Sequence, residues 1–303
     1  VTELDIISNR SSGEPVCAAG RGIPHVSQSG SPLVERAKAL SHLVPEEAVV
    51  ARRTAAWIWG LDVLPPGVNQ ADCAAEFIRP LGFETDLDPP SLAPENVEVP
   101  QEHALEVEKI RVTSLPRTAL DCARWLPRIE AVAALDQFLR RGVERDELRE
   151  MARVLSGYRG NKRLREIVRL GDPGAASPGE SWTRATIVDA GFPSPRTQVP
   201  VPGPGGRWFY VDLGYPDFRV GVEYDGERHH SGREARAHDQ RRRRWLTTEM
   251  GWEIIPVTKE FLSRPAPYLE ALLTAMFQRG WNPPEATVNR ISRRLRTLSR
   301  RPR

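Results

Sequence analysis

The chain has 303 residues, 40% hydrophobic and 27% charged, an ordinary soluble composition with room for two or three modest domains. Its three cysteines, Cys17, Cys73 and Cys122, are far apart and odd in number, so neither a disulfide framework nor paired zinc-type spacing is indicated and a reducing cytoplasm is expected. No apolar run approaches the roughly 20 residues that span a bilayer, and the opening VTELDIISNR lacks the basic-then-apolar order of a signal peptide.

The net charge of +3 conceals an asymmetry. Residues 1–170 carry 22 Lys and Arg against 25 Asp and Glu, whereas residues 171–303 carry 21 against 15. The basic part holds Arg228, Arg233, Arg236, the run Arg241, Arg242, Arg243 and Arg244, and the tail NRISRRLRTLSRRPR. That pattern suits a polyanion such as DNA. A solvated basic face is the alternative, because 39 of the 43 basic residues are Arg, a bias that a GC-rich genome produces unaided.

In chain order, residues 1–31 are rich in Ser, Gly and Pro and read as a loose leader. Leu33, Val34, Ala37, Leu40 and Leu43 keep a helical period, and Glu46 to Gly60 does so again, ending at a Gly that suits a helix C-terminus. Alternating apolar positions over 97–113 predict short strands. Helices are expected over 119–141, interrupted near Pro127, then over 146–155 and 162–170, so residues 32–170 read as a mostly helical α+β domain. GDPGAASPGE, residues 171–180, is the clearest boundary. Residues 181–282 follow as helix, three strands, helix, strand and a final helix over 267–279, with 283–303 as a basic tail.

The most informative stretch is DLGYPDFRVGVEYDGERHH, residues 212–230. Val211 and Leu213 alternate with Asp212, Val220 and Val222 with Gly221 and Glu223, and the intervening Pro and Asp favour a turn. A turn centred on Asp217 and Phe218 pairs 213 with 222 and sets Asp212 opposite Glu223 on one sheet face, with Asp225 joining by the period of two. Like charges held that close repel, so a cation is the simplest reason to keep them, and a merely solvated polar face is the alternative. His229, His230, His238 and Asp239 match no common structural zinc pattern.

The order of elements, with an acid on the second strand and E-x-D on the third, resembles the α-β-β-β-α-β core of the PD-(D/E)XK, restriction-endonuclease-like superfamily, in particular domains related to very-short-patch repair endonucleases. The motifs are SPGESWTR with Glu180, Gln198 on the first strand, Asp212 on the second, EYDGERHH, and Asp239, Arg242 and Leu246 in D-x-x-R-x-x-x-L before GWEIIPVT. The resemblance implies a mixed sheet and a metal-dependent DNA endonuclease. Mg²⁺ or Mn²⁺ would sit on Asp212 and Glu223, Glu180 would reach a metal-bound water, and His229 or His230 would serve as general base or acid. Gln198 and Asp239 would support the site, with Asp239 and Arg242 anchoring their helix to it, and the arginines at 233, 236 and 241–244 would contact DNA. Asp225 occupies the usual lysine position of this motif, which implies a variant site. Double-strand cutting would call for a homodimer.

AVVARRTAAWIWGL (48–61) and VTSLPRTALDCARWL (112–126) resemble the type IV abortive-infection antitoxin family. That resemblance implies the alternative, a non-catalytic DNA-binding regulator or antitoxin partnered with a nucleotidyltransferase toxin. Both segments also read simply as amphipathic helices burying Trp57, Trp59, Leu120 and Trp125.

Overall fold

The computed structural model describes residues 48–69, 72–78, 99–107, 109–154, 160–226 and 233–300, together with positions 35, 38, 39 and 42; for 233–238 it describes the backbone alone. The helical period expected over 33–43 lies almost wholly outside these residues. The fold is mixed α/β, with two four-stranded mixed sheets and ten α-helices of five residues or more among the described residues.

The first sheet forms from strands β1 (Val49–Val50), β2 (Phe77–Ile78), β3 (Ala104–Val107) and β4 (Ile110–Thr113), in the order β2-β1-β4-β3. Here the expected helix over 46–60 is corrected. Val49 and Val50 are strand, paired antiparallel with Ile78 and Phe77, with Val50 also parallel to Val112, and among the described residues of that stretch only Arg52–Ile58 (α1) is helical. Two adjacent β-branched residues, 1% and 0% exposed, pack better on a pleated central strand than on a helix.

Helices α2 (Leu115–Trp125), α3 (Arg128–Arg140), α4 (Arg145–Val154) and α5 (Asn161–Leu170) share one hydrophobic core with this sheet. Ser114 caps α2, accepting the Arg117 amide, and Pro127 ends one helix and starts the next. Trp59, Leu120, Leu126, Val132, Leu135 and Phe138 build the first core.

Helix α6 (Pro178–Asp189) carries the chain into the second unit, and its two faces belong to different cores: Ala185 packs in the first, Ile187 in the second. The Arg184 guanidinium is buried against Asp136 of α3 at 2.7 and 2.9 Å and also donates to the Leu170 carbonyl. The Gly-Pro segment before α6 adds to this junction, since Ala175 is buried and the Asp172 amide donates to Asp136.

The second sheet runs β5 (Arg196–Pro202), β6 (Trp208–Tyr215), β7 (Val220–Asp225) and β8 (Glu253–Thr258), antiparallel except for the β7/β8 pair. Helix α7 (Arg233–Arg244) crosses between β7 and β8 and closes in a π turn, Trp245–Glu249. Beyond β8 come α8 (Lys259–Ser263), α9 (Ala266–Gln278) and α10 (Glu285–Ser299). The expected basic tail is thus a helix over most of its length. Ile291 and Leu295 are buried against the second core while Arg293, Arg294 and Arg296 face solvent. No helix among the described residues is long and apolar enough to cross a membrane.

Candidate functional site

At one level of the second sheet, three polar residues stand side by side. Thr197 pairs with Leu213 and Val199 with Val211, which sets Gln198 across from Asp212. Leu213 pairs with Val222, so Asp212 faces Glu223 on the other side. Neither juxtaposition is a regular ladder pair. Gln198 has a left-handed backbone, φ 46°, and the Asp212 carboxylate accepts the Tyr224 amide at 3.1 Å.

This break turns the strands over. Val199 and Val211 pack with Leu246 and Trp252, whereas Leu213 packs with Val220 and Val222 in the other cluster. The simple alternation expected for Val211, Asp212 and Leu213 is therefore corrected: the two apolar neighbours of Asp212 lie on opposite faces.

Glu180 reaches the row from α6. It completes the helix cap, in which Ser177 accepts the Glu180 amide at 3.2 Å and the Glu180 carboxylate accepts the Ser177 hydroxyl at 2.9 Å. It also accepts the Ala176 amide at 2.8 Å and the Gln198 side-chain amide at 2.9 Å. The helix start is thereby tied to the strained residue of β5. Gly179 makes this approach feasible, since a Cβ there would lie 2.0 Å from the Tyr224 ring.

Glu223 is buried, and Arg242 from α7 binds it as a fork, donating to its two oxygens at 2.6 and 3.2 Å and also to the Tyr210 carbonyl. Asp225, partly exposed, pairs with Arg243 3.6 Å away. Asp212 lies in a perturbed environment. Burial first, then the charges of Glu180 and Glu223, push its carboxyl up to about 7.

Asp212 and Glu223 offer the hard oxygen donors that Mg²⁺ or Mn²⁺ takes. In this arrangement, however, both Glu223 oxygens are held by Arg242, Glu180 is held by its cap and Gln198, and no group of three or more His, Cys, Asp or Glu among the described residues is set to hold a metal. The residues as arranged do not fit a bound cation.

Among the remaining expected residues, His229 and His230 lie outside the described residues. Arg233 and Arg236 lie on α7, and Asp239 on that helix is partly buried. Arg241, Arg243 and Arg244 are exposed. Sequence reasoning missed Ser177 and Tyr224, whose contributions are a cap and a backbone amide. It also missed Arg207 and Trp245, which flank a cleft with the α7 arginines. Trp245 directly after an arginine run was the available signal.

Residues 48–170 match the AbiEi antitoxin C-terminal domain family. The antitoxin likeness of AVVARRTAAWIWGL and VTSLPRTALDCARWL therefore holds for this region. Two uncharacterised proteins from different strains of Mycobacterium tuberculosis are each 34% identical over 164 residues, 54% of this chain and 60% of the relative. The chain thus spans about three fifths of the length of these curated relatives. No solved structure matches the chain.

Proposed function

We propose that the chain is a DNA-binding regulator of the antitoxin type, whose residues 48–170 engage a nucleotidyltransferase toxin and whose basic second unit holds DNA. The match of that region to the AbiEi antitoxin family carries this reading. The geometry supports it: Arg242 already neutralises Glu223, so the carboxylate row is balanced by the protein's own guanidinium. The exposed arginines of α7 and α10 supply charge for phosphates.

The test pairs a gel-shift titration with a plasmid nicking assay. The expected result is duplex binding that weakens steeply with salt, no nicking in Mg²⁺ or Mn²⁺, and binding unchanged in Asp212→Ala. Co-expression with a nucleotidyltransferase toxin should restore growth.

A second reading is metal-dependent phosphodiester cleavage on a restriction-endonuclease-like core, with Mg²⁺ or Mn²⁺ on Asp212 and Glu223. One observation favours it, the Asp212 carboxyl raised among other acids, an environment a cation would relieve. It requires Arg242 to leave Glu223. Divalent-dependent nicking that disappears in both Asp212→Ala and Glu223→Ala would establish it over the first.

A further inference from the structure

A cleft of about 480 Å³ opens between the turn joining β5 to β6 and the end of α7 with its π turn. Arg207 lies on the hairpin side, Arg241, Arg244 and Trp245 on the helix side, and Phe209 forms part of the wall. Arg207, Arg241 and Arg244 are exposed, and among the described lining residues the sole acid is Glu249. Arg242 also lines it, but its guanidinium is fixed on Glu223 and the Tyr210 carbonyl.

The aromatic member is fixed too. Trp245 is partly exposed, and its indole N–H donates to the Pro202 carbonyl at 2.9 Å, locking the ring to the hairpin. The helix containing it widens into a π turn over Trp245–Glu249, a geometry often found at functional sites.

We infer that this cleft binds a single-stranded nucleic-acid segment, with phosphates on Arg207, Arg241 and Arg244 and one unstacked base against Trp245. The inference rests on the nucleic-acid reading above and narrows it. The volume lies within the range of small-ligand pockets and suits one or two nucleotides. Within a duplex, bases are stacked on each other and offer only their edges, whereas a rigid aromatic wall beside several guanidiniums gains energy from an exposed base face. Phosphate charge alone would be served as well by a flat arginine surface.

Fluorescence anisotropy on the full chain tests this with labelled oligo-dT, oligo-U and a blunt duplex. Oligo-dT or oligo-U should bind with quenching of tryptophan emission; the two arms separate DNA from RNA. Trp245→Ala should weaken that binding roughly 5- to 100-fold, the loss of one stacked base, while Trp245→Phe keeps most of it. Arg207→Gln should lower the salt slope by about one ion or slightly less.

Duplex binding without single-strand binding would overturn the cleft and leave the regulator reading standing. Failure of every nucleic acid to bind would sink both. Equal weakening of duplex and single strand by Trp245→Ala, or displacement of oligo-dT by polyglutamate of matched charge, would reduce the cleft to a charge effect and overturn the proposal. If Trp245→Ala does not fold, the exposed-site variants Arg207→Gln and Arg241→Gln decide: unchanged oligo-dT affinity in both refutes the inference.

Discussion

Replacing Asp212 by Asn should remove a pH dependence of stability that originates in the carboxylate row. Burial, then Glu180 and Glu223, raise the Asp212 carboxyl from its ordinary 3.8 to about 7 in the folded chain. The unfolded chain releases this proton near pH 4, so between about pH 4 and 7 the native state holds a proton that the unfolded state has lost. Stability therefore falls as pH rises through that window, and the penalty is fully present above it. Each tenfold change in proton affinity is about 1.4 kcal/mol, which places the upper limit of this penalty at about 4 kcal/mol. Asn carries no charge and can still accept the Tyr224 amide through its Oδ1. The variant should match the wild type at pH 4 and exceed it by about 2–4 kcal/mol at pH 8 in urea unfolding. Parallel stability curves for the two proteins from pH 4 to 8 would refute the argument. Repeating the pH 8 measurement with Mn²⁺ separates the two functional readings: a Mn²⁺-dependent gain in the wild type that Asp212→Asn loses belongs to a metal site, and its absence to a self-neutralised one.

Three further substitutions probe the contacts that assemble the site. Asp136→Ala strands the buried Arg184, whose side chain is 2% exposed, and should cost about 3–5 kcal/mol in urea unfolding, with Asp136→Leu plus Arg184→Met recovering most of it. Arg242→Lys replaces a two-pronged donor by a point charge beside the buried Glu223; a loss of about 1–3 kcal/mol is expected, and a thermal melt unchanged from wild type would contradict the bidentate pair. Gly179→Ala drives a methyl into the Tyr224 ring and should cost about 1–3 kcal/mol, relieved by a smaller residue at 224 and measurable as a drop in melting temperature.

Much of the second unit was legible because its signals are local. Alternation of Val220, Val222 and Leu213 around a Pro-Asp turn defined the hairpin, and Leu213 does pair with Val222. The reversal of faces at Gln198 and Asp212 was not legible, since it depends on a left-handed φ at Gln198, whose side chain is held by Glu180 from another element. Helix α10 was hidden by composition: arginines on its outer face obscured the apolar spacing of Val288, Ile291, Leu295 and Leu298. Val49 and Val50 were drawn toward helix by the alanines that follow, and only the distant partners Phe77, Ile78 and Val112 make them strand. Arg242 was expected both to contact DNA and to anchor its helix. The sequence could not show that its guanidinium would fork onto Glu223, an acid on a strand distant in the chain.

Helix α6 lends one side to each core, and this bears on how the protein can be divided or inherited. A fragment beginning at residue 178 would carry Arg184 into an apolar setting without Asp136, and a fragment ending at 170 would leave Asp136 buried without its cation. Each half would leave one member of that pair uncompensated, so the full chain is expected to unfold in one cooperative transition, and two separate steps in a urea melt would contradict the coupling. Recombination that exchanges either half for a foreign one would have to carry positions 136 and 184 together as a matched lock.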